Sequence, residues 1–259
     1  MEIKPTRNKG EIFHFLGKSP ELQLYLIGDL DDFFWPHTEW YASYENGEIT
    51  SIALIYSGMT PPTLLMFHDG DSDCPYELLG KIRKYLPPKL YVHLSTGLID
   101  ALGRQNIIHD FGLNYRMILT QTPENINDSN IRRLGPADFE ILEELYADSY
   151  PGNWFDRRML ETGKYFGYFS GGILAGAAGI HVYSPLYRIA ALGNIVTRTE
   201  FRGKKIAYRL TAVLCADLGS TTDIIGLNVK QDNAAAIKCY QNAGFKISCS
   251  FEECLIKTK

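Results

Sequence analysis

The stretch YRIAALGNIVTRTEFRGKKIAYRLTAVLCADLGSTTDIIGLNVKQDNAAAIKCYQNAGF, residues 187–245, decides how this chain folds. Residues 189–197 are apolar and β-branched enough for a buried strand, which stops at Arg198-Thr199-Glu200-Phe201. Arg202-Gly203-Lys204-Lys205-Ile206-Ala207 then opens a helix in which Ile206, Leu210, Val213, Leu214 and Leu218 recur at helical spacing and Gly219 is the stop. A second strand, 223–229, leads into a second helix, 233–243, capped by Gly244. Strand, basic turn, helix, strand, helix is a crossover unit.

The basic turn has the makings of an anion cradle. A helix start leaves its first N–H groups unpartnered and carries partial positive charge, so Gly203 and its neighbours can wrap a pyrophosphate with main-chain donors. Arg202, Lys204 and Lys205 add charge, and their place at a helix start after a buried strand favours an anion site over a solvated charge run. On the second helix Asn233, Ile237 and Tyr240 share one side, which puts a positioning amide beside a proton-donating phenol. Taken alone, Tyr240 would be a half-buried core tyrosine and Asn233 an ordinary N-cap.

These residues resemble the GCN5-related N-acetyltransferases (GNAT). The family's Q/R-x-x-G-x-G/A loop is similar to Arg202-Gly203-Lys204-Lys205-Ile206-Ala207, and its N-x-x-A-x-x-L-Y-x-x-x-G-F signature to residues 233–245, with Cys239 in place of Leu. Asn194 and Thr197 ahead of Glu200-Phe201-Arg202-Gly203 are most similar to the glycine N-acyltransferase-like and FR47-like branch. The resemblance implies a function and a site. Acetyl-CoA would donate an acetyl or related acyl group to an amine, with main-chain groups of Ile195, Val196 and Thr197 pairing with its pantetheine arm. The amides from Gly203 through Lys204, Lys205 and Ile206 to Ala207 would hold its pyrophosphate. Asn233 would hydrogen-bond the arm, and Tyr240 would protonate the departing thiolate as general acid.

Two departures from the family pattern stand out. Lys205 occupies a position that the family usually gives to Gly, where a lysine can still donate its N–H if its φ stays negative. The Glu that members often carry on the preceding strand is missing at Ala190-Ala191, so no base is identified. Asp148, Tyr150, His181, Tyr183 and Glu200 are candidates for acceptor contacts or a base; His181 leads them, lying on a central strand and titrating near neutrality. A CoA-binding or interaction module without catalysis stays open as a second reading.

The whole chain has 259 residues and a net charge of -4, which allows two ordinary domains and argues against nucleic acid as the main partner. No apolar run is long enough for a bilayer, and residues 1–10 lack the apolar core of a signal peptide, so a cytoplasmic protein, monomer or homodimer, is expected. Cys74, Cys215, Cys239, Cys249 and Cys254 show no metal-ligand spacing and read as reduced thiols; no metal is implied. Cys239 has no evident His partner that would make it a nucleophile. The turn lacks the Gly-Lys-Ser or Gly-Lys-Thr of a nucleotide phosphate loop.

Residues 1–125 follow a similar order. Two helices fall within 10–34, and strands at 39–44 and 49–57 flank the hairpin signal Asn46-Gly47. A strand at 63–67, a helix at 75–85, a strand at 89–94, a helix at 99–109 and a strand at 113–120 complete that half. Nothing like the cradle precedes its 75–85 helix. Residues 121–129, QTPENINDS, read as a polar linker. Beyond it come a strand at 130–133, helices at 138–150 and 154–160, and a hairpin of 165–169 with 173–183. Glycines 172, 176 and 179 lie in that hairpin and mark close packing, not a nucleotide fingerprint. After the cradle unit the last strand is 247–256. The expectation is an α/β protein of tandem GNAT folds, each a mixed, mostly antiparallel sheet flanked by helices. Residues 1–125 form a GNAT-like unit without the cradle and 128–259 the catalytic one, with acetyl-CoA and an unidentified amine acceptor as partners.

Overall fold

The computed structural model describes residues 2–70, 72–124 and 126–258. The first half runs β1 (Glu2–Thr6), α1 (Lys9–Leu16), α2 (Leu24–Gly28), β2 (Thr38–Glu45), β3 (Glu48–Tyr56), β4 (Thr63–Met66), α3 (Cys74–Ile82), β5 (Lys89–Ser95) and β6 (Ile107–Leu119). The second runs β7 (Ile131–Leu134), α4 (Phe139–Ser149), β8 (Tyr165–Ser170), β9 (Ile173–Ser184), β10 (Ile189–Thr197), α5 (Ile206–Leu218), β11 (Ile224–Lys230), α6 (Ala234–Asn242) and β12 (Phe245–Lys257). Among the described residues no helix is long and apolar enough to cross a membrane.

Two compact units emerge, one of residues 1–116 with 248–259, the other of 117–247. The consecutive division 1–125 and 128–259 would give the last strand to the second unit, whereas its residues 251–257 pair antiparallel with 89–95 of β5. In the first unit the strand order is β1-β2-β3-β4-β5-β12-β6. Helix α3 covers one face, where Leu78, Leu79 and Ile82 pack with Leu64, Met66, Val92 and Leu94 and with Cys254 and Ile256 from β12. Burying each such side chain contributes about 1.5–3 kcal/mol, so β12 is part of that core.

The helix expected over 99–109 does not form. Two 3-10 turns, Leu98–Ala101 and Arg104–Asn106, stand there, and β6 begins at Ile107. Gly103 interrupts the run, and the β-branched pair Ile107-Ile108 favours extended chain. The helix expected over 154–160 is a 3-10 segment, Arg157–Thr162, whose Asp156 side chain accepts from the Arg158 N–H at 2.8 Å.

In the second unit the order is β11-β10-β9-β8-β7. Neighbours are antiparallel except β10 and β11, which are parallel and joined through α5. Helix α5 buries Ile206, Leu210, Leu214 and Leu218, the stripe read from the sequence apart from half-buried Val213. Helix α4 buries Leu142, Leu145 and Tyr146. Two of the three hairpin glycines serve packing: a Cβ on Gly179 would fall 2.1 Å from the Tyr165 ring, and one on Gly176 would fall 2.8 Å from the Val196 carbonyl oxygen, whereas Gly172, at φ +83, has nothing within 4 Å of its Cβ position and serves the turn instead.

Candidate active site

The site is built where the pairing of two parallel strands stops. The ladder between β10 and β11 runs from Ile189 opposite Ile224 to Leu192 opposite Leu227 and stops, although both strands continue. Beyond Leu192, among the described residues, β10 is paired on the β9 side alone, and its pairing there is irregular: Gly193 faces Gly179, and Val196 faces Ala177. One extra residue is accommodated on β10 by Asn194, at φ +55. Such a bulge bends the strand and re-aims the groups that follow it, here half-buried Ile195, buried Val196 and half-buried Thr197. A crevice outside the carboxyl ends of parallel strands is where open α/β sheets bind ligands.

The bulge is held by buried polar contacts. The Tyr146 hydroxyl donates to the Asn194 carbonyl at 2.8 Å, and the Asn194 amide nitrogen donates to the Tyr165 hydroxyl oxygen at 3.0 Å. Tyr165 in turn donates to the Ile180 carbonyl at 2.9 Å. Burial pushes the ionisation of both phenols well up, so both stay neutral. At the strand's exit Arg198 donates to the Leu174 carbonyl at 3.0 Å, Glu144 at 2.9 Å and Asp148 at 3.2 Å. That clamp ties β10 to α4 and occupies Asp148.

The cradle follows a short 3-10 turn, Thr199–Phe201. Gly203 has φ +79 and Lys205 φ +59. Among the described residues no protein group accepts from the N–H of residues 203–207, so five main-chain donors cluster at the start of α5. A helix N-terminus with such donors is an anion site. Arg202 and Lys204 are exposed; the Arg202 Nε donates to the Thr197 carbonyl at 3.3 Å, and the Lys204 ammonium lies 4.8 Å from the Phe201 ring centroid. Ile206 turns its side chain into the core and Ala207 is half-buried, leaving their N–H groups as their means of contact. The negative φ set as the condition for Lys205 to act as a donor is not met. The turn requires a left-handed residue at the cap, and a non-glycine held there stores about 1–3 kcal/mol.

Helix α6 follows β11 after three intervening residues, whereas α5 follows β10 after eight. Asn233 caps it, its side-chain oxygen accepting from the Ala236 N–H at 3.1 Å. The cap uses the oxygen and directs the amide's other end elsewhere. Tyr240 is half-buried and meets Phe245 edge-on, with centroids 6.1 Å apart. The turn after α6 is fixed by Gly244, at φ +94, where a Cβ would fall 2.1 Å from the Gln121 carbonyl oxygen. Cys239 is half-buried and burial raises its thiol pKa, the reverse of what a nucleophile needs.

The other candidates separate cleanly. Glu200 is exposed on the 3-10 turn, Tyr150 is exposed, and the Tyr183 hydroxyl donates to Thr221 at 3.1 Å. His181 lies at the bulge, with Nε2 3.3 Å from the Asn194 side-chain oxygen. The bulge itself escaped the sequence reading. Its signal was Gly193-Asn194, two strand-poor residues inside a β-branched run.

Residues 131–245 match the model of the acetyltransferase (GNAT) family. No curated protein matches the chain. Among solved structures the fold is shared with a GNAT-family protein from Novosphingobium aromaticivorans, at 17% identity and TM-score 0.62 over 80% of this chain and 88% of the other. It is also shared with a GNAT-family acetyltransferase from Colwellia psychrerythraea, at 16% identity and TM-score 0.60 over 99% of this chain and 100% of the other. A tandem GNAT protein from the clavulanic acid biosynthesis pathway aligns at 12% identity and TM-score 0.58 over 100% of this chain and 99% of the other.

Proposed function

We propose, from the match of residues 131–245 to the model of the acetyltransferase (GNAT) family, that this chain transfers an acetyl group from acetyl-CoA to a primary amine. The acceptor is a small molecule or amino acid, and the amine attacks directly in a ternary complex. The observation that carries the reading is the end of the β10–β11 pairing at Leu192 and Leu227, together with amides of residues 203–207 that have no acceptor among the described residues.

Each residue then has a task. Main-chain groups of Ile195, Val196 and Thr197 pair with the pantetheine arm as a further strand would. The amides from Gly203 to Ala207 hold the pyrophosphate, with Arg202, Lys204 and Lys205 supplying charge around it. Asn233 contacts the arm. As the amine nitrogen bonds to the thioester carbon and the carbon–sulfur bond breaks, Tyr240 supplies its hydroxyl proton to the sulfur.

Calorimetric titration with acetyl-CoA, run beside a free-thiol assay over a panel of amines, tests this. Micromolar binding and amine-dependent thiol release are expected, with Tyr240→Phe lowering kcat about 100-fold or more at unchanged acetyl-CoA affinity. Binding without release from any amine would instead identify a CoA-binding module.

A further inference from the structure

The proposed transfer leaves the amine's proton without a destination, since Ala190 and Ala191 are fully buried and carry no carboxylate. We propose that His181 receives that proton, with Asn194 as the residue that positions its ring. The proposal rests on the acyl-transfer reading above.

Paired irregularities in β9 and β10 bring the two residues together. Ala191 faces Val182 while Leu192 faces Ile180, so His181 is the extra residue on β9. A few residues along, Asn194 accommodates the extra residue on β10. The two strands bulge in turn, and the His181 ring lies over Gly193, where a Cβ would fall 2.3 Å from its Cδ2. Bulges cost ladder bonds, and they recur where a side chain must be re-aimed beside an active site.

The hydrogen-bond order assigns the tautomer. The Tyr165 hydroxyl donates to the Ile180 carbonyl, so its oxygen accepts from the Asn194 amide nitrogen, at 3.0 Å. The Asn194 oxygen is therefore the atom turned toward His181, 3.3 Å from Nε2. A carbonyl oxygen can only accept, so Nε2 carries the hydrogen and the neutral ring keeps its lone pair on Nδ1. Protonation at Nδ1 turns the Nε2 bond to Asn194 into a charge-assisted one, which favours the imidazolium at the moment it forms.

The neighbouring titratable groups do not compete. Tyr165 of β8 and Tyr146 of α4 are held neutral by burial. Glu144 and Asp148 of α4 are engaged by Arg198, and Asp156, ahead of the 3-10 segment, is bonded to Arg158 and held low by it.

The step balances. The carbon–nitrogen bond forms and the carbon–sulfur bond breaks, the amine nitrogen gives one proton to His181, and Tyr240 gives one to the sulfur. Transfer from His181 to the Tyr240 oxygen through solvent restores both groups.

The test is the pH profile of kcat for the wild type, His181→Gln and Asn194→Asp, with acetyl-CoA affinity measured for each. The wild type is expected to lose activity as an imidazole protonates. His181→Gln should lower kcat at neutral pH by about 100- to 10,000-fold, abolish that limb and leave acetyl-CoA affinity within twofold. Asn194→Asp retains the histidine and should move the limb to higher pH by about one unit or more, because a carboxylate stabilises the imidazolium. A limb set by the substrate's own ammonium would not respond to Asn194. Should His181→Gln fail to fold, an unmoved limb in Asn194→Asp overturns the proposal. Transfer by His181→Gln at the wild-type rate removes the base and leaves the transferase standing. A wild type that binds acetyl-CoA and acylates no amine removes both.

Discussion

The Tyr146 hydroxyl donates to the Asn194 main-chain carbonyl at 2.8 Å across 48 residues of sequence. This one bond fixes helix α4 to the bulge of β10, and so sets where the following main-chain groups point.

Tyr146→Phe removes that donor and leaves a buried carbonyl unsatisfied, at a cost of about 1–3 kcal/mol. Reduced stability in urea is expected together with weaker acetyl-CoA binding, since the bulge then relaxes toward a regular strand. Lost stability with unchanged acetyl-CoA affinity would separate the bulge from cofactor binding.

Lys205 tests whether the cradle works through its main chain or its charge. At φ +59 the lysine is strained, and Lys205→Gly should raise stability by about 1 kcal/mol while retaining the donors. Lys205→Ala keeps the strain and drops the charge. If amides hold the pyrophosphate, melting temperature rises for Gly and acetyl-CoA affinity falls by a similar small factor in both variants. If the charge dominates, both lose most of their affinity, and more so at low salt.

The cradle and the α6 signature were legible because each is local. Residues 202–207 and 233–245 carry their own turn and cap chemistry, and the helix stripe of α5 follows from spacing alone. The network around the bulge was not legible. Tyr146, Tyr165 and His181 reach Asn194 across 48, 29 and 13 residues, and strand alternation does not reveal where one strand takes an extra residue. The partner of β12 was hidden for a related reason. An alternating strand states which face is buried and is silent on which neighbour it pairs with. Helix spacing over 99–109 was outvoted by Gly103 and by Ile107-Ile108.

That hidden pairing makes Ile256 a test of the first unit. It is 1% exposed and packs with Leu78, Leu79 and Ile82 of α3. Ile256→Ala should cost about 2–5 kcal/mol, and hydrogen exchange should quicken in α3 and β5 while α5 and β10 keep their protection. Loss confined to residues 117–247 would contradict the pairing of β12 with β5.

Asp217, on α5, gives the cradle helix a pH dependence. Burial alone would raise its pKa, yet hydrogen bonds from Arg133 of β7 at 2.5 Å and Lys164 at 2.7 Å outweigh burial and hold it below the usual carboxylate value. A depressed folded-state pKa adds stability that is complete above the unfolded value, about 3.9, and is lost as pH falls through the lower folded value. Asp217→Asn should therefore be less stable than wild type at neutral pH, and the gap should close as acid protonates the wild-type carboxylate. Denaturant melts of both proteins between pH 7 and pH 3, about the span the linkage requires, check this. A gap that stayed constant would place the stabilisation in packing, because only the ion pairs depend on the carboxylate's charge.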